Sequence, residues 1–351
     1  MGSRRPVRIL LLADTHIGFD DPARPRVVRR RRGPDFLRCF ERALEPALHG
    51  DADLVVHGGD LLYRARVPAS LVQRALAPLL RVAEAGVPVF LVPGNHERSR
   101  LPFPLLARHP NLHVFRRPGT FTGDVRGVCV AVSGFPFARE VGAEAFRALV
   151  EATAWRAHPA DLRLLCLHQA VEGAVVGVQD FVFRRGRDVV PGRALPRGFA
   201  AVLAGHIHRS QVLTHDLQRR PLAAPVLYPG SIERTSFAER DEVKGTLLLE
   251  CSPGRDGGRL DRWTFDRLPT RPMRQVSLDV RGLGRTHLAA ALRSRFATLD
   301  PQSIVRLELD GEPARDAEAL LTAPALRRLA PPSMNVDLAR PAWREALRAA
   351  R

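Results

Sequence analysis

Short apolar runs and helix-like segments alternate along the first part of the chain. Residues 7–13, 53–56 and 88–92 are mostly apolar, which predicts buried strands. Between them, residues 35–47 and 71–85 carry apolar side chains at helical spacing. This alternation predicts an α/β sheet with parallel strands joined by crossover helices.

Predicted strands lie closer together in the middle of the chain. They are residues 128–133, 162–167, 200–204, 225–228 and 246–251. A helix is predicted at residues 143–157, between the first two of these strands. We therefore expect an α/β fold with a two-sheet sandwich at its core and helices on the outside.

The composition changes near residues 269–272, where two prolines interrupt the pattern. Five elements follow in β-α-β-α-β order, at residues 274–280, 287–296, 303–309, 314–329 and 334–338. Pro324 is expected to break or kink the second of these helices. The sequence thus predicts a first domain over residues 1–268, a small α+β domain over residues 272–340 and a basic tail over residues 341–351.

The charge balance is strongly basic, with 54 Lys and Arg against 37 Asp and Glu and a formal net charge of +17. Almost all of the basic residues are Arg, and Lys244 is the single lysine. Genomic composition can explain the choice of Arg over Lys, but it does not explain the excess of basic residues. Such an excess favours a polyanionic partner, with nucleic acid first and an acidic membrane surface second.

The cysteines and the amino-terminal pattern indicate the cellular compartment. The four cysteines are Cys39, Cys129, Cys166 and Cys251. Because they form no C-x-x-C pair and lie in apolar or helical stretches, we expect buried free thiols in a reducing compartment. Polar residues interrupt the first apolar run, unlike a signal peptide, and no apolar stretch is long enough to span a bilayer. We expect a cytoplasmic protein without a membrane partner.

Five short polar motifs each follow a predicted strand. They are Asp14-Thr15-His16, Gly59-Asp60, Gly94-Asn95-His96-Glu97, Leu167-His168-Gln169 and Gly205-His206-Ile207-His208. In α/β sheets, the carboxyl ends of the strands lie at the edge where ligands bind. Oxygen ligands mixed with imidazole suit ions such as Mn, Fe or Zn, and paired metals are a common device for cleaving phosphate esters. The motifs together predict one site with two divalent metals.

Each motif taken singly has a simpler interpretation. A lone Asp after a strand is usually a turn former or helix cap, and a lone His is more often a surface or core residue. The occurrence of all five motifs in order at one predicted sheet edge favours the metal site over these alternatives. His57, three residues before Asp60, matches no motif and is interpreted as structural or exposed.

The ordered motifs resemble the calcineurin-like metallophosphoesterase superfamily over roughly residues 7–250. The resemblance implies one metal held by Asp14, His16, Asp60 and His208, and another held by Asp60, Asn95, His168 and His206. It implies a metal-bridging hydroxide that attacks phosphorus in line, with His96 contacting the scissile phosphate or protonating the leaving oxygen. Manganese is the expected metal, and Fe, Zn and Mg are the alternatives.

Three further features resemble the SbcD-type DNA repair nucleases. They are the sequence around residues 59–62 and 92–97, the segment at residues 228–237 with Lys244-Gly245, and a small domain placed where those nucleases carry a DNA-capping domain. The resemblance implies manganese-dependent exonuclease and endonuclease activity, and a homodimer that works with an SMC-like ATPase subunit of the SbcC type. The ATPase remains open, because only residues 342–351 follow the small domain, where the family usually carries its ATPase-binding helices.

Basic and aromatic residues near the motifs are candidate DNA contacts. They are Arg29, Arg30, Arg31, Arg32, Tyr63, Arg64, Arg66 and Arg98. The alternative for the arginine run is a solvated, mobile loop. The nucleases often have His or Asp at the position of Tyr63, so this residue is a departure from their pattern, and we expect it to affect exonuclease action more than metal binding.

The leading hypothesis is therefore a two-metal phosphodiester hydrolase that acts on DNA. A second hypothesis is a phosphoesterase for small phosphodiesters, phosphomonoesters or phosphoproteins on the same core. A third is a non-catalytic DNA-binding subunit whose metal site only organises the fold. The basic charge and the additional domain count against the second hypothesis, and the complete ligand set counts against the third.

Overall fold

The computed structural model describes residues 5–21, 30–97 and 108–339. Contacts among these residues form two compact units. The first unit takes in the described residues up to Phe19 and those of Gly33–Thr235 and Glu242–Thr270. The second takes in Ser236–Asp241 and the described parts of Asp20–Arg32 and Arg271–Arg351. Two short segments of the predicted first domain, near residues 20–32 and 236–241, thus belong to the second unit.

The first sheet of the first unit has six strands in the order β16-β15-β1-β2-β3-β4. The strands are β1 (Val7–Leu12), β2 (Leu54–His57), β3 (Val89–Leu91), β4 (Leu112–Val114), β15 (Gly245–Ser252) and β16 (Arg259–Arg267). Strands β1 to β4 are parallel, β15 is antiparallel to β1, and β16 is antiparallel to β15. The connections α1 (Gly33–Leu48) and α2 (Ala69–Glu84) are the predicted crossover helices.

The second sheet also has six strands, in the order β13-β14-β12-β7-β6-β5. The strands are β5 (Gly119–Val125), β6 (Val128–Gly134), β7 (Leu162–His168), β12 (Ala201–Gly205), β13 (Gln211–His215) and β14 (Pro221–Tyr228). The four central strands are parallel, and the two edge strands are antiparallel to their neighbours. The helix α3 (Ala143–Glu151) contributes side chains to an apolar cluster. This cluster covers the face of the second sheet that is turned away from the first sheet.

Alternating burial along the strands explains the sandwich. In β1, Ile9 and Leu11 pack with side chains of the second sheet, including Leu164. Leu10 and Leu12 point to the opposite face and pack against α1 and α2. Both faces of β1 are therefore covered, and this is why the strand is a continuous apolar run. The predicted two-sheet sandwich flanked by helices is confirmed.

Short paired strands lie in the chain segment between β7 and β12. They are β8 (Ala170–Val171) with β11 (Val189–Val190), and β9 (Val175–Val176) with β10 (Phe181–Val182). The pattern of apolar residues did not predict them, because two-residue strands are too short to show a period. The edge strand β16 was also missed, because most of its residues are exposed.

The second unit is a small α+β structure. Its parallel sheet consists of β17 (Met273–Asp279), β18 (Ile304–Asp310) and β19 (Asn335–Leu338), in the order β17-β18-β19. Its helices are α4 (Arg285–Ala297) and α5 (Ala323–Leu329), with a 3₁₀ segment at Arg315–Leu321. The helix predicted at residues 314–329 is thus two segments, and Pro324 lies in the first turn of the second, where its missing N–H is tolerated.

The four cysteines are free, and Cys39, Cys166 and Cys251 are buried. The described part of the chain contains no helix that is both long and apolar enough to cross a membrane.

Candidate metal centre

The predicted ligands follow strands of both sheets. Asp14 and His16 come after β1, Asp60 after β2, and Asn95 lies in a 3₁₀ turn after β3. His168 ends β7, and the next strand of that sheet, β12, is followed by His206 and His208. Side chains from the two sheets meet at one edge, where the Asn95 amide oxygen lies 3.1 Å from His168 Nε2. The sandwich therefore brings together residues that are more than 190 positions apart, such as His16 and His208.

Four of these residues have a left-handed backbone, which is costly for any residue with a side chain. Their φ angles are 52° at Asp14, 46° at His16, 52° at Asp60 and 87° at His206. Backbone hydrogen bonds hold the first two loops in this form, from Asp14 N to the Gly59 carbonyl (2.8 Å) and from His16 N to the Asp60 carbonyl (3.0 Å). Such strain is typical of functional sites, where the surrounding structure fixes a special geometry.

One group of candidate ligands comes from the first motif and the last. The Nε2 atoms of His16 and His208 are 3.0 Å apart, and Asp14 Oδ1 lies 3.9 Å from His208 Nε2. Among the described residues, buried His16 Nδ1 has no hydrogen-bond partner. Two ring nitrogens and a carboxylate thus converge, as ligands of a cation do.

A second group surrounds Asn95. Its amide oxygen lies 3.1 Å from His168 Nε2 and 2.9 Å from His206 Nδ1. His168 Nε2 is also 3.5 Å from Asp60 Oδ1. The other ring nitrogen of His168 donates to the Gly58 carbonyl at 2.7 Å, because a carbonyl only accepts. Nε2 is therefore the ring nitrogen that would face a metal. Burial opposes protonation of this ring, but the Asp60 and Asp14 carboxylates outweigh it and raise the pKa of His168 to about 9, so a metal would have to displace the proton from Nε2.

These side chains fit a divalent-metal centre. Within the described part of the chain, three sets of three residues have ligand atoms that all lie within 4.8 Å of one another. The sets are Asp14 with His16 and His208, His16 with Asp60 and His96, and Asp14 with Asp60 and His168. Asp60 belongs to two sets, which suits a carboxylate that bridges two ions. The mixture of carboxylate and imidazole suits Mn, Fe or Zn.

The charge states favour cation binding. Burial lowers the pKa of His206 to about 3, so its ring is neutral at pH 7. Burial opposes ionisation of Asp60, but the neighbouring His168, His16 and His96 rings together outweigh it and lower the pKa of this carboxyl. Asp60 is therefore ionised under all ordinary conditions, in a site that is otherwise largely desolvated.

His96 lies at the entrance of the site, with its side chain 31% exposed. Its Nδ1 forms a hydrogen bond with the Tyr63 carbonyl, and its backbone N–H donates to Asp60 Oδ1 at 2.9 Å. Because the carbonyl accepts, Nδ1 carries the hydrogen, and Nε2 lies 3.8 Å from Asp60 Oδ2. The ring can therefore exchange a proton at Nε2 with a group bound in front of Asp60.

Glu97 connects two of the ligand loops, a role that the sequence interpretation did not assign. Its two carboxylate oxygens accept from the backbone N–H groups of Leu62 and Gly94, each at 2.7 Å. Gly94 itself permits close approach, since a Cβ atom there would lie 2.1 Å from Asp60 Oδ1. The sequence signal was present, because Glu97 ends the third motif and Gly94 begins it.

Two of the candidate DNA contacts lie on the surface beside this site. Tyr63 is half-buried, with its ring centroid 5.9 Å from that of His16 and 4.8 Å from that of Phe19. Arg64 is exposed, and its guanidinium lies 5.9 Å from the Tyr63 ring. Arg66 is exposed as well.

The described candidate contacts in the arginine run, Arg30 to Arg32, belong to the second unit. Arg32 is buried, and its backbone N–H donates to Asp20 Oδ2 at 3.0 Å. Arg31 forms an ion pair with the same carboxylate at 3.4 Å, and Arg30 donates to the Gln302 side chain. The burial of Arg32 argues against a direct DNA contact. Arg29 and Arg98 lie outside the described residues.

The chain is also similar to known proteins. The family model for the calcineurin-like phosphoesterase matches residues 7–210. The chain is 30% identical over 309 residues to the DNA double-strand break repair protein Mre11 of Haloferax volcanii. That alignment covers 87% of this chain and 62% of the relative, so the chain spans under two thirds of its length.

Two further likenesses extend the comparison. The protein of the same name from Archaeoglobus fulgidus is 25% identical over 341 residues, which cover 90% of this chain and 71% of that protein. A crystal structure of a dimetal phosphatase from Danio rerio aligns with a TM-score of 0.39 at 12% identity, over 74% of this chain and 100% of that chain.

Proposed function

Because the chain belongs to the calcineurin-like phosphoesterase family, we propose that it hydrolyses phosphodiester bonds of DNA with two divalent metal ions. The observation that carries the proposal is the convergence of candidate ligands from both sheets at one edge, with His96 beside them. Members of this family are metal-dependent hydrolases. DNA as the substrate, the ligand assignments and the metal identity are the proposed parts.

The ligands divide into two sets that share Asp60. Asp14, His16, Asp60 and His208 would hold one ion, and Asp60, Asn95, His168 and His206 would hold the other, as the short distances within each set support. When bound there, two divalent metals would supply a nucleophile from water near neutral pH and would neutralise charge on the phosphoryl oxygens. Manganese is the proposed metal.

His96 is the proposed general acid. Its Nδ1 is engaged by the Tyr63 carbonyl, so only Nε2 faces the site. A proton at Nε2 can pass to the leaving oxygen of the scissile phosphodiester, which makes departure of an alkoxide easier. The partial exposure of the ring is consistent with contact with a large substrate that approaches from solvent.

DNA is supported as the substrate by two observations. The chain carries a net charge of +17, which favours a polyphosphate. Two of its relatives bear the name of a DNA double-strand break repair protein. Tyr63 and Arg64 lie beside the site, Arg66 is exposed nearby in the chain, and these three are the proposed contacts to the DNA backbone. A homodimer and an SMC-like ATPase subunit remain proposed partners.

A cleavage assay with two substrates tests the proposal. Metal-stripped protein receives Mn²⁺, Mg²⁺ or Zn²⁺ and then either end-labelled DNA or the small diester bis-p-nitrophenyl phosphate. We expect both to be cleaved with Mn²⁺. Asp60→Ala should abolish both reactions, and His96→Ala should reduce turnover of DNA by about 10²–10⁴-fold.

The alternative functions give different results in the same assay. Hydrolysis of the small diester without any loss of DNA would favour a phosphoesterase for small molecules. DNA binding without cleavage under all three metals would favour a non-catalytic subunit. Full activity of Asp60→Ala would contradict the site itself.

A further inference from the structure

A buried chain of hydrogen bonds runs beneath the metal centre, from the loop after β2 to the loop after β1 and back. His57 Nδ1 accepts from the backbone N–H of Gly59 at 3.2 Å. His57 Nε2 lies 3.1 Å from Thr15 Oγ1, and the Thr15 hydroxyl donates to the Leu61 carbonyl at 3.1 Å. A backbone N–H only donates and a carbonyl only accepts, so both ends fix the direction. His57 Nε2 therefore carries the hydrogen and donates it to Thr15.

The ends of this chain lie next to three proposed ligands. Thr15 stands between Asp14 and His16, and Gly59 and Leu61 stand on either side of Asp60. Those three ligands have φ angles of 52°, 46° and 52°, respectively. A strained backbone persists only where its surroundings fix it. The side chains of His57 and Thr15 connect the two strained loops in addition to their backbone hydrogen bonds.

The surroundings of the two side chains keep this link dry. His57 and Thr15 each have 0% of their surface exposed. The His57 ring packs edge-on against Phe40, with centroids 6.0 Å apart. Because bulk solvent does not reach either side chain, losing one of these hydrogen bonds leaves a buried polar group unsatisfied.

We propose that His57 and Thr15 are positioning residues that form a clasp between the first two ligand loops and set the affinity of the centre for divalent metal. The inference deepens the proposed function and rests on its metal centre. The clasp acts through the backbone of Asp14, His16 and Asp60. Its two side chains are not proposed to touch the metal.

Mn²⁺ titration of the metal-stripped full chain tests the clasp without any DNA. Thr15→Val keeps the shape of the side chain and removes the hydroxyl. We expect it to bind Mn²⁺ at least about tenfold more weakly, the usual range for lost support of a metal ligand. Thr15→Ser keeps the hydroxyl and should remain within about threefold of the wild type. The spectrum of bound Mn²⁺ in electron paramagnetic resonance should change in Thr15→Val and be restored in Thr15→Ser.

Thr153→Val is the matched control, because Thr153 is equally buried and its hydroxyl donates to the Val150 carbonyl at 2.6 Å. It should lower the unfolding midpoint and leave Mn²⁺ affinity unchanged. His57→Asn is a second arm that does not depend on the folding of Thr15→Val. The shorter amide can still accept from Gly59 but cannot reach Thr15, so it should also weaken Mn²⁺ binding.

The results separate the two levels of the proposal. Wild-type Mn²⁺ affinity in both Thr15→Val and His57→Asn would overturn the clasp and leave the proposed function standing. Failure of the wild type to bind Mn²⁺, Mg²⁺ or Zn²⁺ would overturn the proposed function, and the clasp with it.

Discussion

At the scale of single residues, backbone geometry and ligand chemistry depend on one another. The proposed ligands are of ordinary types, but four of them adopt left-handed backbone that only their neighbours stabilise. Glycines at the same edge leave room that a methyl group would fill. Substitutions of small, non-coordinating residues should therefore affect metal binding as much as substitutions of some ligands.

Gly94→Ala tests this dependence. The added Cβ would lie 2.1 Å from Asp60 Oδ1, so the carboxylate or the loop must move. We expect Mn²⁺ affinity to fall by at least about tenfold, as measured by calorimetric titration. Gly123→Ala is the control, because a Cβ atom there meets nothing within 4 Å. Equal affinity in the two variants would show that the close approach of Gly94 to Asp60 is unimportant.

His57 gives a prediction on the pH dependence of stability. Burial lowers its pKa from the usual 6.5 to about 3. Between these values the unfolded chain binds a proton that the folded chain does not, so the free energy of unfolding falls as the pH falls. His57→Asn lacks this group, and its loss of stability between pH 6.5 and pH 5 should be smaller by about 2 kcal/mol.

Urea unfolding of metal-stripped wild type and His57→Asn at pH 7.5, 6.5 and 5 measures this difference. All other titrating groups are shared by the two proteins, so the comparison isolates His57. Parallel stability curves over this range would mean that His57 keeps an ordinary pKa in the folded protein.

At the scale of elements, the ligand loops are held to one another as well as to their strands. Glu97 joins the loop after β2 to the loop after β3 through Leu62 and Gly94. The 3₁₀ turn Asn95–Glu97 places Asn95, His96 and Glu97 in three different directions within one short segment. The turn therefore combines a proposed ligand, the proposed acid and a structural carboxylate.

Glu97→Gln should separate these loops. One of the two backbone N–H groups would then face an amide NH₂ in a buried site, and an unsatisfied donor costs about 1–3 kcal/mol. We expect a lower unfolding midpoint and lower turnover of bis-p-nitrophenyl phosphate. Glu144→Gln, at an exposed position of α3, is the matched control and should change neither. Wild-type stability in Glu97→Gln would contradict the bridging role.

At the scale of the whole molecule, charge governs the encounter with the proposed substrate. A chain of net charge +17 that contacts DNA phosphates releases counterions on binding. We expect DNA affinity, measured by fluorescence anisotropy with a catalytically inactive Asp60→Ala variant, to fall at least about tenfold between 50 and 200 mM salt. Hydrolysis of the small diester by wild type should change by less than about twofold, because it needs few phosphate contacts. Salt-independent DNA binding would contradict an electrostatic interface.

The sequence by itself determined the type of fold and the family. Apolar periodicity depends on neighbours a few residues apart, so it predicted β1 to β3, α1, α2 and the central strands of the second sheet. The resemblance to the calcineurin-like family is confirmed by the family match over residues 7–210. The break at Pro324 was foreseen because proline acts locally.

Only the tertiary structure decided how the site is held together. Thr15 and His57 lie 42 positions apart, and Leu62 and Glu97 lie 35 apart, so no local pattern could reveal their hydrogen bonds. The burial of Arg32 and the tautomers of His168 and His96 likewise depend on groups distant in the chain. Hydrogen-bond direction and desolvation depend on which residues surround a group in three dimensions. Those residues are distant in the chain, and only folding brings them together.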